Sequence, residues 1–356
     1  MALLDGKRIL ITGGTGSLGK VLLRRLLSGG HGDPARIVVF SRDEAKQHDI
    51  RVYYQHRRAA TDEIIYRNFR EKLEFRIGDV RDYGSLCGAL HEVDIVFAAA
   101  ALKQVPTCEY FPTEAVHTNV LGAANLVRAI RDLRLPVECV MGISTDKAVK
   151  PVNVMGMTKS LQERIYAQAN LEVPDTRFVL SRYGNVLASR GSVIPLFHDQ
   201  IRNGGPVTIT STEMTRFLLS LEEAVDLILR AIDTGQRGET YIPRVPAARM
   251  VDVAAALIGD RPIQTVVTGV RPGEKLHESL VSEEEGWRTF VRGGDYVVAP
   301  ILPELRTESS EELGQCLQRE YTSADDLMSP AEVADLLRRR GLMPDQELRF
   351  EDEVLV

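Results

Sequence analysis

The stretch Thr12-Gly13-Gly14-Thr15-Gly16-Ser17-Leu18-Gly19 follows an apolar run, Arg8–Thr12, and leads into a segment of helical pattern. Glycines let a backbone turn tightly and approach a ligand. The helix that follows offers unpaired N–H groups and the positive end of its dipole to an anion. Strand, glycine loop and helix in that order begin a βαβ unit. The spacing therefore predicts a dinucleotide pyrophosphate cradle at Gly13, Thr15, Gly16, Ser17 and Leu18.

The alternation continues along the first half. Arg36–Phe40, Leu73–Ile77, Val93–Ala98, Glu138–Ile143 and Arg177–Leu180 are largely apolar runs separated by segments of helical length. Strands buried on both faces read this way. The pattern predicts an α/β fold, a doubly wound parallel Rossmann sheet, with ligands at the carboxyl ends of its strands. After about Tyr183 the pattern loosens into short strands (Val207–Thr210, Thr240–Ile242, Ile263–Val267) and short helices, a smaller α/β lobe for substrate. A chain of 356 residues exceeds the ~250–300 at which single cores stop growing. The expected division is 1–183 for the dinucleotide-binding domain, with later segments returning to it, 184–343 mainly for the second lobe, and 344–356 as an acidic tail. Ser220-Leu-Glu-Glu223 and Ser329-Pro-Ala-Glu332 are capping boxes that open helices to Ala231 and to near Gly341. Asp43–Glu74, long for one crossover, carries both charge signs and Tyr53, Tyr54 and Tyr66. It is expected to be a solvated helical insertion, with a subunit contact as the alternative.

Composition narrows the function. Forty-four Lys and Arg against 50 Asp and Glu leave a net charge of −6, which speaks against a nucleic-acid binder. The longest apolar run, Ile95–Leu102, has eight residues, against ~18 for a membrane span. The N-terminus enters a strand at once, leaving no room for a signal peptide. Cys87, Cys108, Cys139 and Cys316 show neither zinc nor redox spacing, as expected of a reduced cytoplasmic protein. The seven histidines form no cluster, so nothing recommends a metal site.

The second strand ends Phe40-Ser41-Arg42, where an acidic residue would favour NAD. A serine and an arginine suit a 2′-phosphate, so NADP is the expected cofactor, with Lys46 adding charge. The alternative is that Arg42 pairs with Asp43 or Glu44. Asp79 and Val80, after the third strand, border the adenine. Ala99, after the fourth, belongs to a small-residue floor under the nicotinamide.

Ser144-Thr145-Asp146-Lys147 follows the fifth strand, and Met155 and Lys159 lie four apart on the next helix. This arrangement resembles the extended short-chain dehydrogenase/reductases, whose signature is a serine or threonine here followed by Tyr-x-x-x-Lys. The departure is Met155 at the tyrosine position, since a thioether cannot carry the proton. Ala99–Pro106, Ser144–Ala148, Arg182–Val186, Ala188–Pro195, Met214–Phe217 and Arg271–Lys275 narrow the likeness. They are similar to the soluble UDP-N-acetylglucosamine 4,6-dehydratases of bacterial capsule, O-antigen and glycan-sugar biosynthesis. The likeness runs from about Arg8 to Leu280, and members of this group carry methionine at that position.

The resemblance implies an internal NADP cycle. Hydride leaves sugar carbon 4, the ketone acidifies carbon 5, the 6-hydroxyl departs, and hydride returns to carbon 6. It implies Asp146 as acid and Lys147 as base. Lys147 is expected to be partly neutral through desolvation and the nearby Lys159. Thr145 would bond the sugar near carbon 4, and Lys159 would hold the nicotinamide ribose. Met155 would pack beside the cofactor. Asn185, Arg216 and Arg271 suit the pyrophosphate, Arg216 and Arg271 through the bidentate fork. Glu274 could accept from the ribose, and Thr208 belongs with these substrate contacts. Lys103 could touch cofactor or sugar. Asn119 is placed among the substrate contacts, although it matches a family asparagine that more often organises the site than reacts. A homo-oligomer is expected. The competing readings are a nucleotide-sugar 4-epimerase, and a regulatory protein that binds NADPH without turnover.

Overall fold

A computed structural model describes residues 2–56, 63–187, 192–306 and 316–345. Residues 188–191 of the Ala188–Pro195 motif, and all of the tail beyond residue 345, lie outside the described residues. The chain opens with β1 (Arg8–Thr12), α1 (Ser17–Leu27), β2 (Arg36–Ser41), α2 (Glu44–His56), α3 (Glu63–Lys72), β3 (Leu73–Ile77), α4 (Tyr83–Ala89) and β4 (Ile95–Ala98). It continues through α5 (Val105–Tyr110), α6 (Pro112–Ala115), a π-helical turn (Val116–Leu121), α7 (Gly122–Asp132), β5 (Cys139–Thr145), a 3-10 turn (Asp146–Ala148), α8 (Val154–Glu172) and β6 (Arg177–Tyr183). Then come β7 (Asn185–Val186), α9 (Val193–Arg202), β8 (Val207–Ile209), β9 (Thr215–Leu219), α10 (Leu221–Thr234), β10 (Thr240–Ile242), β11 (Ala247–Arg249) and α11 (Met250–Ile258). Last are β12 (Thr265–Val267), β13 (Ser279–Val281), α12 (Glu283–Gly286), β14 (Thr289–Arg292), β15 (Asp295–Val298), β16 (Tyr321–Thr322) and α13 (Pro330–Arg339).

Among the described residues, nine strands form one sheet in the order β14-β15-β10-β6-β5-β4-β1-β2-β3. It is parallel from β10 to β3, and β15 and β14 add antiparallel edges. This is the doubly wound α/β sheet that the apolar runs predict. β4 starts at Ile95 rather than Val93, because Val93 N–H bonds back to Leu90 O (3.2 Å) and closes the turn after α4. Two hydrophobic layers cover the sheet. α1 and α10, with Ile50, Tyr54 and Phe69, cover one face; α4, α7 and α8 cover the other.

The Asp43–Glu74 crossover is thus not merely solvated. Tyr54 is fully buried and stacks on Phe69 with ring centroids 5.4 Å apart, because α2 and α3 lay this face over the sheet. The chain also returns to the sheet after the short strands. β14 and β15 form a hairpin across Gly293-Gly294, whose φ values of 60° and 92° suit the primed turns that join twisted strands. A separate core holds α9, α11 and α13 together. Both expected capping boxes close in both directions, at Ser220–Glu223 and Ser329–Glu332. Among the described residues no helix is long and apolar enough to cross a membrane.

Candidate active site

The sheet order reverses beside β1, between β2 on one side and β4 on the other, which opens a crevice at their carboxyl ends. Gly13 sits there with φ +68°, its N–H bonded to Phe40 O at 2.8 Å. A Cβ on Gly13 would lie 2.8 Å from Ala100 Cα, so only glycine lets the loop pass the exit of β4. Thr12 Oγ1 accepts from Ala100 N–H (3.2 Å) and holds that exit, including Ala99, in place. Gly16 stands just ahead of α1 and has no side chain to cap it, with Ser17 and Leu18 in the helix's first turn. An uncapped helix start behind a glycine loop fits a pyrophosphate.

Ser41 braces this loop. Its Oγ lies 3.0 Å from Thr15 Oγ1 and accepts from Asp43 N–H (3.1 Å), and the residue is buried. Arg42 is half exposed and pairs with neither Asp43 nor Glu44; its Nη1 is 3.4 Å from Asp79 Oδ2. Lys46 instead pairs with Asp43 (2.7 Å). Partial burial pushes the Asp79 carboxyl up, but hydrogen bonds from Arg81 and the charge of Arg42 outweigh it and hold it below its ordinary value. Val80 packs against Gly122, where a Cβ would come within 2.8 Å of its Cγ2.

The chemistry-bearing cluster lies at the end of β5. Thr145 Oγ1 donates to Asp146 Oδ1 (2.8 Å) and accepts from Lys147 N–H (3.4 Å). Lys147 Nζ donates to Asp146 Oδ1 (3.1 Å) and lies 3.3 Å from Glu278 Oε1. Asp146 and Glu278 are buried, and Asp146 Oδ2 and Glu278 Oε2 have no hydrogen-bond partner among the described residues. Arg216 reaches in from β9, its Nε 4.0 Å from Glu278 Oε1 and its Nη1 donating to the Thr215 and Leu276 carbonyls (2.7 and 3.2 Å). Two bonds tie the 271–275 loop to this turn: Asn153 Nδ2 to Gly273 O (2.8 Å) and Lys275 Nζ to Val149 O (2.5 Å).

The charge state of Lys147 differs from the expectation. Burial works against its ammonium, but Asp146 and Glu278 outweigh burial and raise its pKa above the ordinary lysine value. The partly neutral lysine is Lys159 instead. It is buried, donates to Ile143 O and Gln162 Oε1, and burial lowers it to about 8 although Glu163 opposes. Met155 packs in a small core with Cys108 and Ala115.

Asn119 is fully buried and spent on positioning. Its Oδ1 accepts from Leu102 N–H (2.8 Å), and its Nδ2 donates to Leu102 O and Thr158 Oγ1 (both 3.0 Å). A direct substrate contact is therefore corrected to a brace between the π-helical turn, α8 and the loop carrying Lys103. Thr208 likewise has its hydroxyl engaged, accepting from Gln200 Nε2 (2.7 Å). Lys103 and Arg271 are exposed. Among the described residues the buried Asn185 Oδ1 and Glu274 Oε2 have no hydrogen-bond partner, which suits groups that meet a ligand.

Sequence reasoning missed Glu278 and a buried charged triad. Arg182 donates through Nε and Nη2 to Glu163 (3.0 and 2.7 Å) and through Nη1 and Nη2 to Glu285 (2.8 and 3.1 Å). Ser144 donates to Glu163, which ties the triad to the strand end that carries Thr145. The available signals were Ser282-x-x-Glu285, a third capping box, and a glutamate three residues after Lys275.

The polysaccharide biosynthesis protein family matches residues 9–299. The chain belongs to this family. A UDP-glucose 4-epimerase from Rickettsia conorii is 48% identical over 284 residues, 78% of this chain and 79% of that protein. One from Rickettsia typhi is 46% identical over 296 residues, 82% of each. The X-ray structure of Pen from Bacillus thuringiensis superposes with a TM-score of 0.82 at 32% identity, over 96% of this chain and 99% of that one. A dTDP-glucose 4,6-dehydratase from Streptomyces venezuelae, with NAD and TYD bound, shares the fold at 21% identity and a TM-score of 0.63, over 76% and 86%. The chain shares the Rossmann-like α/β fold of these structures.

Proposed function

We propose that this chain is a nucleotide-sugar 4,6-dehydratase acting on UDP-N-acetylglucosamine, with NADP as its cofactor. The pairing of Lys147 with the buried Asp146 at the end of β5 is the observation that carries the reading. A bound nicotinamide supplies reversible hydride transfer, here from sugar carbon 4 and back to carbon 6. The Gly13–Leu18 loop would hold its pyrophosphate, Asp79 and Val80 its adenosine, Arg42 the 2′-phosphate and Lys159 the nicotinamide ribose. Asn185, Arg216, Arg271 and Glu274 would hold the nucleotide end of the substrate.

Elimination needs a proton acceptor for carbon 5 and a donor for the departing 6-hydroxyl. The pair supplies both with one shared proton for the elimination. At rest that proton is on Lys147 Nζ, which donates to Asp146 Oδ1 at 3.1 Å. Moving it along this hydrogen bond leaves a neutral Nζ to take the carbon-5 proton and an acid on Asp146 for the 6-hydroxyl. The proton released from the 4-hydroxyl as carbon 4 is oxidised replaces the one that leaves with the 6-hydroxyl, so that Lys147 can reprotonate carbon 5 as hydride reaches carbon 6. Thr145, bonded to the same Oδ1, would orient the sugar at carbon 4. Met155, packed in apolar surroundings, holds no proton.

The relatives named UDP-glucose 4-epimerase support a second reading, carbon-4 epimerisation, which needs the hydride steps but no elimination. Deuterium at carbon 4 of UDP-N-acetylglucosamine separates the two. A dehydratase yields a 4-keto-6-deoxy product with the label on carbon 6 and, in heavy water, solvent deuterium on carbon 5. An epimerase returns the label to carbon 4, and that outcome overturns the proposal.

A further inference from the structure

Two carboxylates hold Lys147, and only Asp146 belongs to the motif that drew attention to it. Glu278 comes from the segment just ahead of β13 and places Oε1 3.3 Å from Lys147 Nζ. Its backbone is anchored on both sides. Glu278 N–H donates to Ser323 Oγ (2.9 Å), and Glu278 O accepts from Ser323 N–H (2.8 Å). Ser323 Oγ lies 2.7 Å from Thr215 Oγ1, which lies 2.8 Å from His277 Nδ1. Glu278 is 3% exposed, and its Oε2 has no hydrogen-bond partner among the described residues. Burying a carboxylate with an unsatisfied oxygen is costly, and a nearby cation is what offsets such a cost. The other charged groups facing this ion pair are Asp146, Arg216 and Lys275.

We infer that Glu278 is a positioning residue that, together with Asp146, clamps the Lys147 ammonium and sets how tightly that nitrogen holds its proton. The electrostatics agree: burial and Arg216 oppose the charge on Lys147, while Asp146 and Glu278 favour it. Without Glu278, a single carboxylate faces those opposing effects, and the proton leaves at lower pH. The functional meaning rests on the proposed reaction, in which the pair must keep one shared proton; the ion pair itself does not.

The test is lysine acetylation by acetic anhydride across pH, resolved by peptide mass spectrometry on the full chain without substrate. Glu278→Gln should lower the Lys147 midpoint by at least about one pH unit, a tenfold loss of proton affinity. Asp146→Asn should move it the same way. Lys7, paired with Glu138 at 2.7 Å, is the internal control and should not move. Where product forms, the alkaline limb of turnover should shift with the Lys147 midpoint, since that limb belongs to the pair. An unmoved Lys147 midpoint in Glu278→Gln, with unchanged circular dichroism, overturns the inference. Should that variant not fold, Glu278→Asp carries the test, because its shorter arm must also lower the midpoint. Failure to form 4-keto product in the wild type would end the dehydratase reading and leave the labelling result standing.

Discussion

Replacing Arg182 with methionine should cost about 3–5 kcal/mol of stability at pH 7 and reverse how the protein responds to acid. Arg182 is 3% exposed and joins β6 to Glu163 on α8 and to Glu285 on α12. Burial pushes the Glu285 carboxyl up, but the Arg182 guanidinium more than reverses this and holds it at about 2, against an ordinary 4.5. At about 1.4 kcal/mol per pH unit that displacement is worth about 3 kcal/mol. Arg288, 3.5 Å from Glu285 Oε1, survives the substitution and keeps the cost near the lower end of the range. Because the folded value is depressed, the contribution is complete above the unfolded pKa near 4.5 and fades as pH falls towards 2. At pH 3 it should be about 1.5 kcal/mol. In the methionine variant Glu285 stays buried with only Arg288 beside it, and its folded pKa rises. The variant therefore gains stability as Glu285 protonates and loses it as pH climbs. Urea unfolding followed by circular dichroism at pH 3, 5 and 7 should show the gap to wild type narrowing towards acid. A gap that is independent of pH, or a loss below about 1 kcal/mol at pH 7, would refute the reasoning.

Arg42→Asp should weaken NADP far more than NAD, because it removes the exposed guanidinium beside Asp79; equal calorimetric affinities of the wild type for both dinucleotides would end the NADP assignment. Lys147→Ala and Asp146→Asn should each lower turnover of UDP-N-acetylglucosamine by ~10²–10⁴ with little change in substrate affinity. Near-wild-type turnover in either variant would remove that residue from proton transfer.

Much of the sheet was legible because strands buried on both faces leave an unbroken apolar signature, as Ile37–Phe40 and Val140–Ile143 do. Capping boxes and the glycine loop were legible because their partners lie within a few residues. What escaped was decided by pairs distant in sequence. Nothing local to Lys147 says that Glu278 will meet it, and the motif's own lysine, Lys159, invited the opposite expectation about charge. Arg182 reads as part of the Arg182–Val186 motif, yet its side chain is consumed by Glu285, 103 residues downstream. Asn119 looked like a ligand contact for the same reason. Its partners are the backbone of Leu102 and the Thr158 hydroxyl, and backbone groups leave no mark in a sequence.

These distant pairs meet at one strand end. Successive side chains of a strand point to opposite faces, so Ser144 and Thr145 at the tip of β5 look in opposite directions. Ser144 donates to Glu163 of the buried triad, and Thr145 donates to Asp146 of the reactive pair. The triad reaches α12 through Glu285, and the pair reaches the segment ahead of β13 through Glu278. Ser279–Val281 separates those two carboxylates, so one short stretch of the later chain docks against both faces of the β5 tip. The proton held by Lys147 is therefore a tertiary property. It depends on the later chain closing over β5, because only then do Asp146 and Glu278 face the same nitrogen.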